Sequence, residues 1–111
     1  MQKGEIYLAD LNPVKGSEQA AKRPVVIISG NLLNQYAPVV WVCPLSSKIE
    51  NYKGDLILKP NKTNGLSKES EVLIMHLRSI SKSRLGKKLG EISVTDLNFL
   101  RKGIQEVLVM D

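Results

Sequence analysis

The side chains best suited to chemistry gather in one stretch, Lys15-Gly16-Ser17-Glu18-Gln19-Ala20-Ala21-Lys22-Arg23-Pro24. It offers a hydroxyl, a carboxylate, an amide and cations in a polar loop between two runs rich in β-formers, a setting that suits binding or catalysis. The bland alternative is a solvated hairpin loop. Single-stranded RNA would fit such a set, because RNA brings its own nucleophile, the 2′-hydroxyl beside each phosphate. Cleavage then asks the protein for alignment, proton transfer and positive charge near the phosphorane oxygens. Arg23 suits the last task, since guanidinium is planar, multidentate and permanently charged. For the same reason it is no proton acceptor. Glu18 can accept a proton or orient Arg23, and the second role is slightly favoured. Ser46, in the turn-like pair Ser46-Ser47, can hydrogen-bond a phosphate or position a proton, but a hydroxyl alone is a poor general acid. His76 is the only side chain whose ordinary pKa lies near neutrality; a lone histidine on a strand suits base contact or a subunit interface better than catalysis. Arg78 is by default a surface cation, and its spacing from His76 on a strand lets the two share a cleft.

Short strands must position these residues. Glu5 to Leu11 reads as a strand that Asn12-Pro13 ends. Pro24 opens a second, with β-branched Val25 to Ile28 behind it. Residues 31–36 form a short helical turn after Ser29-Gly30-Asn31. From Ala37 to Leu45 both alternating faces are apolar, Val39, Trp41, Cys43 and Leu45 on one and Val40 and Val42 on the other, as in a strand covered on both sides; in so small a domain the second cover hints at another subunit. Gly54 to Lys59 is a fourth strand. Ser70 to Arg78 is a fifth, with Leu73, Met75 and Leu77 on one face and Val72, Ile74, His76 and Arg78 on the other. A sixth lies near residues 84–91. Ser93-Val94-Thr95-Asp96 has capping-box spacing with Asp in place of Glu. Leu97, Leu100, Ile104, Val107 and Leu108 then form one helical stripe, which Gly103 weakens by about 1 kcal/mol relative to Ala. Short strands and a terminal helix predict a mainly β fold, a small curled antiparallel sheet or open barrel.

With 111 residues the chain fits one domain, 1–111. Its net charge of +5 favours an acidic partner, nucleic acid being the commonest. Arg78, Lys82, Arg84, Lys87 and Lys88 follow one another with no acid between them. They read equally as a Lys-rich edge that discourages strand pairing and as a phosphate-facing patch. Cys43 is the only cysteine, so no internal disulfide is possible, and it reads as an inert core thiol. One Cys and one His argue against a zinc site. The start lacks the apolar segment of a signal peptide, and the apolar run from Pro38 to Leu45 is too short to span a bilayer, so no membrane association and a cytoplasmic location are expected. Gly-rich phosphate loops, nucleophile elbows and metal-binding spacings are missing, and the few aromatics form no stacking platform.

Taken together, Gly4-Glu5-Ile6-Tyr7, Asn12-Pro13-Val14-Lys15-Gly16-Ser17-Glu18-Gln19 and Lys22-Arg23-Pro24-Val25-Val26-Ile27-Ile28 resemble the opening of the MazF/PemK (Kid) toxin family. The likeness returns at Val42-Cys43-Pro44-Leu45-Ser46-Ser47. It returns again at Arg78-Ser79-Ile80-Ser81-Lys82-Ser83-Arg84-Leu85, close to the family's Arg-Thr-Ile-Asp-Lys-x-Arg-Leu. The resemblance implies an SH3-like open barrel of the MazF/CcdB type with a C-terminal helix, acting as a homodimer. It implies a metal-independent endoribonuclease, without cofactor, that cuts single-stranded RNA, usually mRNA, at short sequences and leaves a 2′,3′-cyclic phosphate and a 5′-hydroxyl. A cognate antitoxin would block the RNA site; the basic groove favours an acidic, partly disordered segment that folds on binding.

The family's Arg of Arg-Pro and its Thr after the third strand map onto Arg23 and Ser46 as the reaction centre. Ser17, Glu18, Gln19, Lys22, Ser47, His76 and Arg78 would line the RNA groove. Ser46 keeps the hydroxyl of the family's Thr but lacks the methyl that restrains its rotamer. Ser17 replaces the His of Kid-type toxins, Met75 stands where they carry an Asp proposed as base, and His76 replaces a Gln. An Arg/Thr-type site is therefore the better template. A catalytically silent relative that binds only RNA or a protein is the alternative. CcdB-like gyrase poisoning ranks low, because Val107-Leu108-Val109-Met110-Asp111 lacks the Trp-Gly-Ile ending of that group.

Overall fold

A computed structural model describes residues 1–12 and 22–109. β1 (Glu5–Asp10) and β2 (Lys22–Ile27) pair antiparallel, with Ile6 opposite Val26 and Asp10 opposite Lys22. β2 begins two residues earlier than Pro24. Lys22 and Arg23 are exposed while Val25, Val26 and Ile27 are fully buried, so the strand starts at the rim and runs into the core. Pro24 stands one residue before pairing with the next strand begins, a place where a missing amide donor is tolerated. A short helix α1 (Asn31–Tyr36) follows, then β3 (Val39–Ser46), β4 (Leu56–Leu58), β5 (Ser70–Val72), β6 (Arg78–Ser81), β7 (Leu85–Glu91) and the C-terminal helix α2 (Val94–Leu108). The sheet runs β4-β5-β3-β2-β1-β7, with β6 also paired to β3, and every pairing is antiparallel. This is a curled, mainly β half-barrel closed by a helix, the expected class.

β3 is the spine, and its two apolar faces serve two clusters of the same chain. Cys43 and Leu45 join Ile6, Val26, Val72, Ile74 and Leu100. Val40 and Val42 join Ala9, Val25, Ile27 and Ile80. The doubly apolar pattern therefore needs no second subunit to cover it. Trp41 alone breaks the pattern, at 41% exposure.

The predicted strand from Ser70 to Arg78 is two strands. β5 pairs with the end of β3, Leu45 opposite Val72, and β6 with its beginning, Val42 opposite Arg78. The chain spends more residues between those pairs than β3 does, and the surplus is taken up by a 3-10 turn over Ile74–His76. Alternation fails there. Ile74 is buried against α2, where its side chain approaches Gly103, whereas Met75 and His76 are exposed.

α2 starts as its sequence dictates, with the Ser93 hydroxyl accepting from the Asp96 amide at 3.0 Å. Its stripe is covered only in part. Leu100 is fully buried and Leu97 and Ile104 half-buried, but Val107 and Leu108 are 47% and 56% exposed. Gly103 is a packing residue: a Cβ there would lie 3.0 Å from the Gly54 carbonyl oxygen and 3.2 Å from Ile74 Cδ1.

Candidate active site

Where β2 begins and β3 ends, the sheet opens into a cleft. Val25 lies opposite Pro44 and Val26 opposite Cys43; the same register carried toward the rim brings Arg23 opposite Ser46. A cleft of about 640 Å³ lies over this junction, and Lys22, Arg23, Ser46, Ser47, Lys48 and Lys68 are among its lining residues. That volume lies within the range of about 300–1,000 Å³ usual for small-ligand sites. The described lining carries cations and hydroxyls but no carboxylate and no imidazole. Among the described residues the ion pairs are Lys48–Glu50 at 3.3 Å and Lys88–Glu5 at 2.7 Å, and neither takes Arg23.

Ser46 is half-buried at the end of β3. Its Oγ accepts from the Lys48 amide at 3.1 Å and lies 3.3 Å from the Lys48 carbonyl oxygen. The first contact fixes the hydroxyl in a serine turn, which supplies locally the restraint that a threonine methyl would give. The second is long for a hydroxyl donor, so its proton is easily redirected to a phosphate oxygen.

Lys22, Arg23, Ser46 and Ser47 all line this cleft. Ser17, Glu18 and Gln19 lie outside the described residues. His76 and Arg78 do not line the cleft: the 3-10 turn ends their shared strand face, and Arg78 stands opposite Val42 at the far part of β3. Of the basic run, β7 forms the outer edge of the sheet, in keeping with its reading as a guarded edge. Lys88 is tied to Glu5, and Arg84 donates to the carbonyl oxygens of Asp10 and Asn12. Arg84 thereby braces the stem from which the first loop departs, a role no local pattern announced.

Two carboxyl groups behind the cleft also escaped the sequence reading. Glu71, fully buried on β5, accepts from the amides of Glu50 and Asn51 at 2.8 Å each and of Tyr52 at 2.9 Å. It so ties down the segment that follows Ser46. Burial acts to raise its pKa, but the hydrogen bonds from Asp55 and these amides outweigh it and hold the carboxyl below its ordinary value. Asp55 accepts from the Ile74 amide through Oδ1, and its carboxyl, whose Oδ2 is buried, lies against that of Glu71. Burial first, then the hydrogen bond with Glu71, push its carboxyl up to about 6. Below about pH 6, two carboxyls in such contact hold one proton between them, on Asp55. Cys43 lies near this pair; burial and the Asp55 charge push its thiol up to about 12, so it is inert.

A second groove, about 710 Å³, runs along α2 beside Ile28, Leu100, Ile104 and Leu108 and touches neither Arg23 nor Ser46. Among the described residues no three His, Cys, Asp or Glu side chains gather to hold a metal ion, and no helix is long and apolar enough to cross a membrane.

The curled half-barrel with its C-terminal helix is a fold found in a class of small toxins. The model for PemK-like, MazF-like toxins of type II toxin–antitoxin systems matches residues 2–108, and the chain belongs to that family. Endoribonuclease MazF of Staphylococcus saprophyticus is 40% identical over 94 residues, 84% of this chain and 78% of that protein. A Deinococcus radiodurans MazE–MazF crystal structure contains a chain of TM-score 0.82 and 26% identity, covering 100% of this chain and 97% of that one. A mycobacterial endoribonuclease solved with its cognate antitoxin has TM-score 0.80 at 19% identity, covering 100% and 99%.

Proposed function

We propose that this toxin is an endoribonuclease that cuts single-stranded mRNA by attack of a 2′-hydroxyl on the adjacent phosphate, which breaks the bond to the 5′-oxygen, releases it as a 5′-hydroxyl and leaves a 2′,3′-cyclic phosphate. The observation that supports the proposal is a cleft bearing several cations that both Arg23 and Ser46 line, where paired strands β2 and β3 reach the rim. Arg23 neutralises the charge that builds on the phosphorane oxygens. The Ser46 hydroxyl hydrogen-bonds a phosphate oxygen and holds it for in-line attack. Lys22 and Ser47 grip the strand within the cleft, and Ser17, Glu18 and Gln19 contact it from the first loop, where Glu18 orients Arg23 or takes the proton. His76 and Arg78 are proposed as contacts for RNA beyond the cleft. The reaction needs neither metal nor cofactor, because substrate and side chains supply its nucleophile and its charge. Single-stranded RNA suits a cleft that sets cations and hydroxyls beside Leu8, Leu45, Leu66 and Leu89, with no aromatic among its described lining residues.

The chain acts in the cytoplasm as a homodimer, for which the exposed Leu32, Tyr36 and Trp41 offer apolar surface. An antitoxin with an acidic, partly disordered segment neutralises it by filling the basic cleft.

The lack of a carboxylate or imidazole in the described lining favours one rival, a silent module that only binds RNA. Incubating the purified protein with a long mRNA in EDTA separates the two. Discrete cuts with 5′-hydroxyl ends, lost in a folded Arg23→Ala variant, support the nuclease. Intact RNA with retained binding supports the silent module, and full activity of the folded variant removes Arg23 from the mechanism.

A further inference from the structure

The far wall of the cleft is built by a segment that the reading above does not use, residues 59–70. Asn64, 2% exposed, is its keystone. Its Oδ1 accepts from the amides of Asn61 and Leu66 at 3.1 and 3.0 Å, its Nδ2 donates to the Lys59 carbonyl at 2.9 Å, and its own amide donates to Asn61 Oδ1 at 2.7 Å. The segment rests on β7 at a distance only glycine permits. A Cβ on Gly65 would lie 2.0 Å from the Leu89 carbonyl oxygen, and one on Gly90 would lie 2.2 Å from the Thr63 carbonyl oxygen. Gly65 also has φ of +66°, the left-handed region. The exit is held as well: the buried Ser70 hydroxyl donates to the Lys68 carbonyl at 2.9 Å. Backbone fixed at its keystone, its seat and its exit carries Ser67 and Lys68, both exposed, into the cleft that Arg23 and Ser46 line.

We propose that Lys68, with the Ser67 hydroxyl beside it, is a positioning site for a backbone phosphate of the bound strand, across the cleft from the bond being cut. The proposal rests on the reading of this cleft as an RNA site and deepens it. Arg23 and Lys68 then divide the work. The guanidinium meets charge that develops in the transition state, while the ammonium meets a phosphate whose charge does not change during reaction. A lysine suits the second role, since it serves as a compact point charge rather than a planar fork. Contact with a non-reacting phosphate binds ground state and transition state alike, so it sets KM and not kcat. The ordered backbone matters because a pre-arranged ammonium forfeits less freedom when the strand arrives.

The test compares wild type, Lys68→Ala and Lys68→Arg in two measurements. The first is salt-dependent binding of a random-sequence, single-stranded 2′-O-methyl RNA pool about 12 nucleotides long, which spans one site and cannot be cut. The second is steady-state cleavage of a natural mRNA. Expected for Lys68→Ala is a several-fold rise in Kd and KM, kcat within twofold of wild type, and a log K against log salt slope smaller in magnitude by about 0.7, one phosphate on a single strand. Lys68→Arg restores the slope. An unchanged slope in Lys68→Ala, or a fall in kcat at unchanged KM, overturns the proposal. If wild type cuts no RNA, the endonuclease reading fails, and the binding slope still decides whether Lys68 holds a phosphate. Because Lys68 is exposed, loss of folding is not expected; the charge-reversing Lys68→Glu gives a second reading, with a larger rise in Kd.

Discussion

Ser46 and Glu71 stand opposite each other across β3 and β5. The first presents a hydroxyl to the cleft, and the second, beneath it, takes the amides of Glu50, Asn51 and Tyr52. A buried acid thus ties down the segment that follows Ser46. Removing it leaves three amide donors without their buried acceptor. Glu71→Ala is expected to cost about 3 kcal/mol or more, read as a fall in the urea midpoint at unchanged m-value. Glu71→Gln, which keeps an acceptor oxygen, should cost less. Equal stability of all three proteins would show that the amides find other partners.

The proton shared with Asp55 makes stability depend on pH with a definite sign. In the folded chain Asp55 keeps its proton up to about pH 6, whereas the unfolded chain releases it near pH 3.9. Its contribution is therefore complete below about pH 4, declines as pH rises to about 6, and is flat above, a step of at most about 3 kcal/mol. Glu71, lowered, works in the other direction: its contribution is present above its ordinary value and is lost as pH falls through its folded one. Asp55→Asn mimics the protonated acid, with an oxygen for the Ile74 amide and an N–H for Glu71. Urea unfolding at pH 4.5, 6 and 8 should show the variant equal to wild type at the acid end and more stable at the alkaline end. A variant less stable at every pH would mean that the carboxyls share no proton.

The two glycines on which packing turns give opposite signs to sequence and structure. Propensity alone says that Gly103→Ala stabilises α2 by about 1 kcal/mol. The Gly54 carbonyl oxygen, 3.0 Å from the added methyl, is backbone, so the turn at Gly54 or α2 must shift by a few tenths of an ångström. A net loss of about 1 kcal/mol is expected, measured as a lower Tm. Gly65→Ala, which meets backbone at 2.0 Å in the left-handed region, should be worse. It should also weaken RNA binding more than Gly103→Ala at matched stability, because Gly65 seats the segment that carries Lys68.

How much of this was legible in the chain follows from which forces are local. β1, β2, β3 and the start of α2 were legible because alternation, β-branching and the Ser93 cap act over a few residues. Arg23 and Ser46 were legible through their motifs, and the register of Val25 with Pro44 brings them opposite each other. His76 was misplaced because alternation assumes continuous pairing, and burial of Ile74 under α2 outweighs it. Glu71 was passed over because its partners are amides of a distant loop, which leave no side-chain pattern. Lys68 looked like any surface lysine, since what sets it apart is the fixed backbone of residues 59–70. The stripe ending in Val107 and Leu108 promised a covered face, and the described residues leave those two exposed.

The hydroxyl at position 46 gives the sharpest test of the reaction centre. Its Oγ is already fixed by the Lys48 amide, so the methyl that threonine adds has little left to restrain. Ser46→Thr is therefore expected to cut RNA within about threefold of wild type. Ser46→Ala removes the donor aimed at a charged oxygen, a loss that costs about 10²–10³-fold in rate where such donors have been deleted. Single-turnover cleavage at saturating enzyme isolates that step from binding. A slow Ser46→Ala with unchanged RNA affinity places the hydroxyl in the transition state, as the lengthened contact to the Lys48 carbonyl suggests. An active Ser46→Ala would leave Arg23 to act without it, and a Ser46→Thr as slow as alanine would mean that the serine turn, not the hydroxyl, is what the site requires.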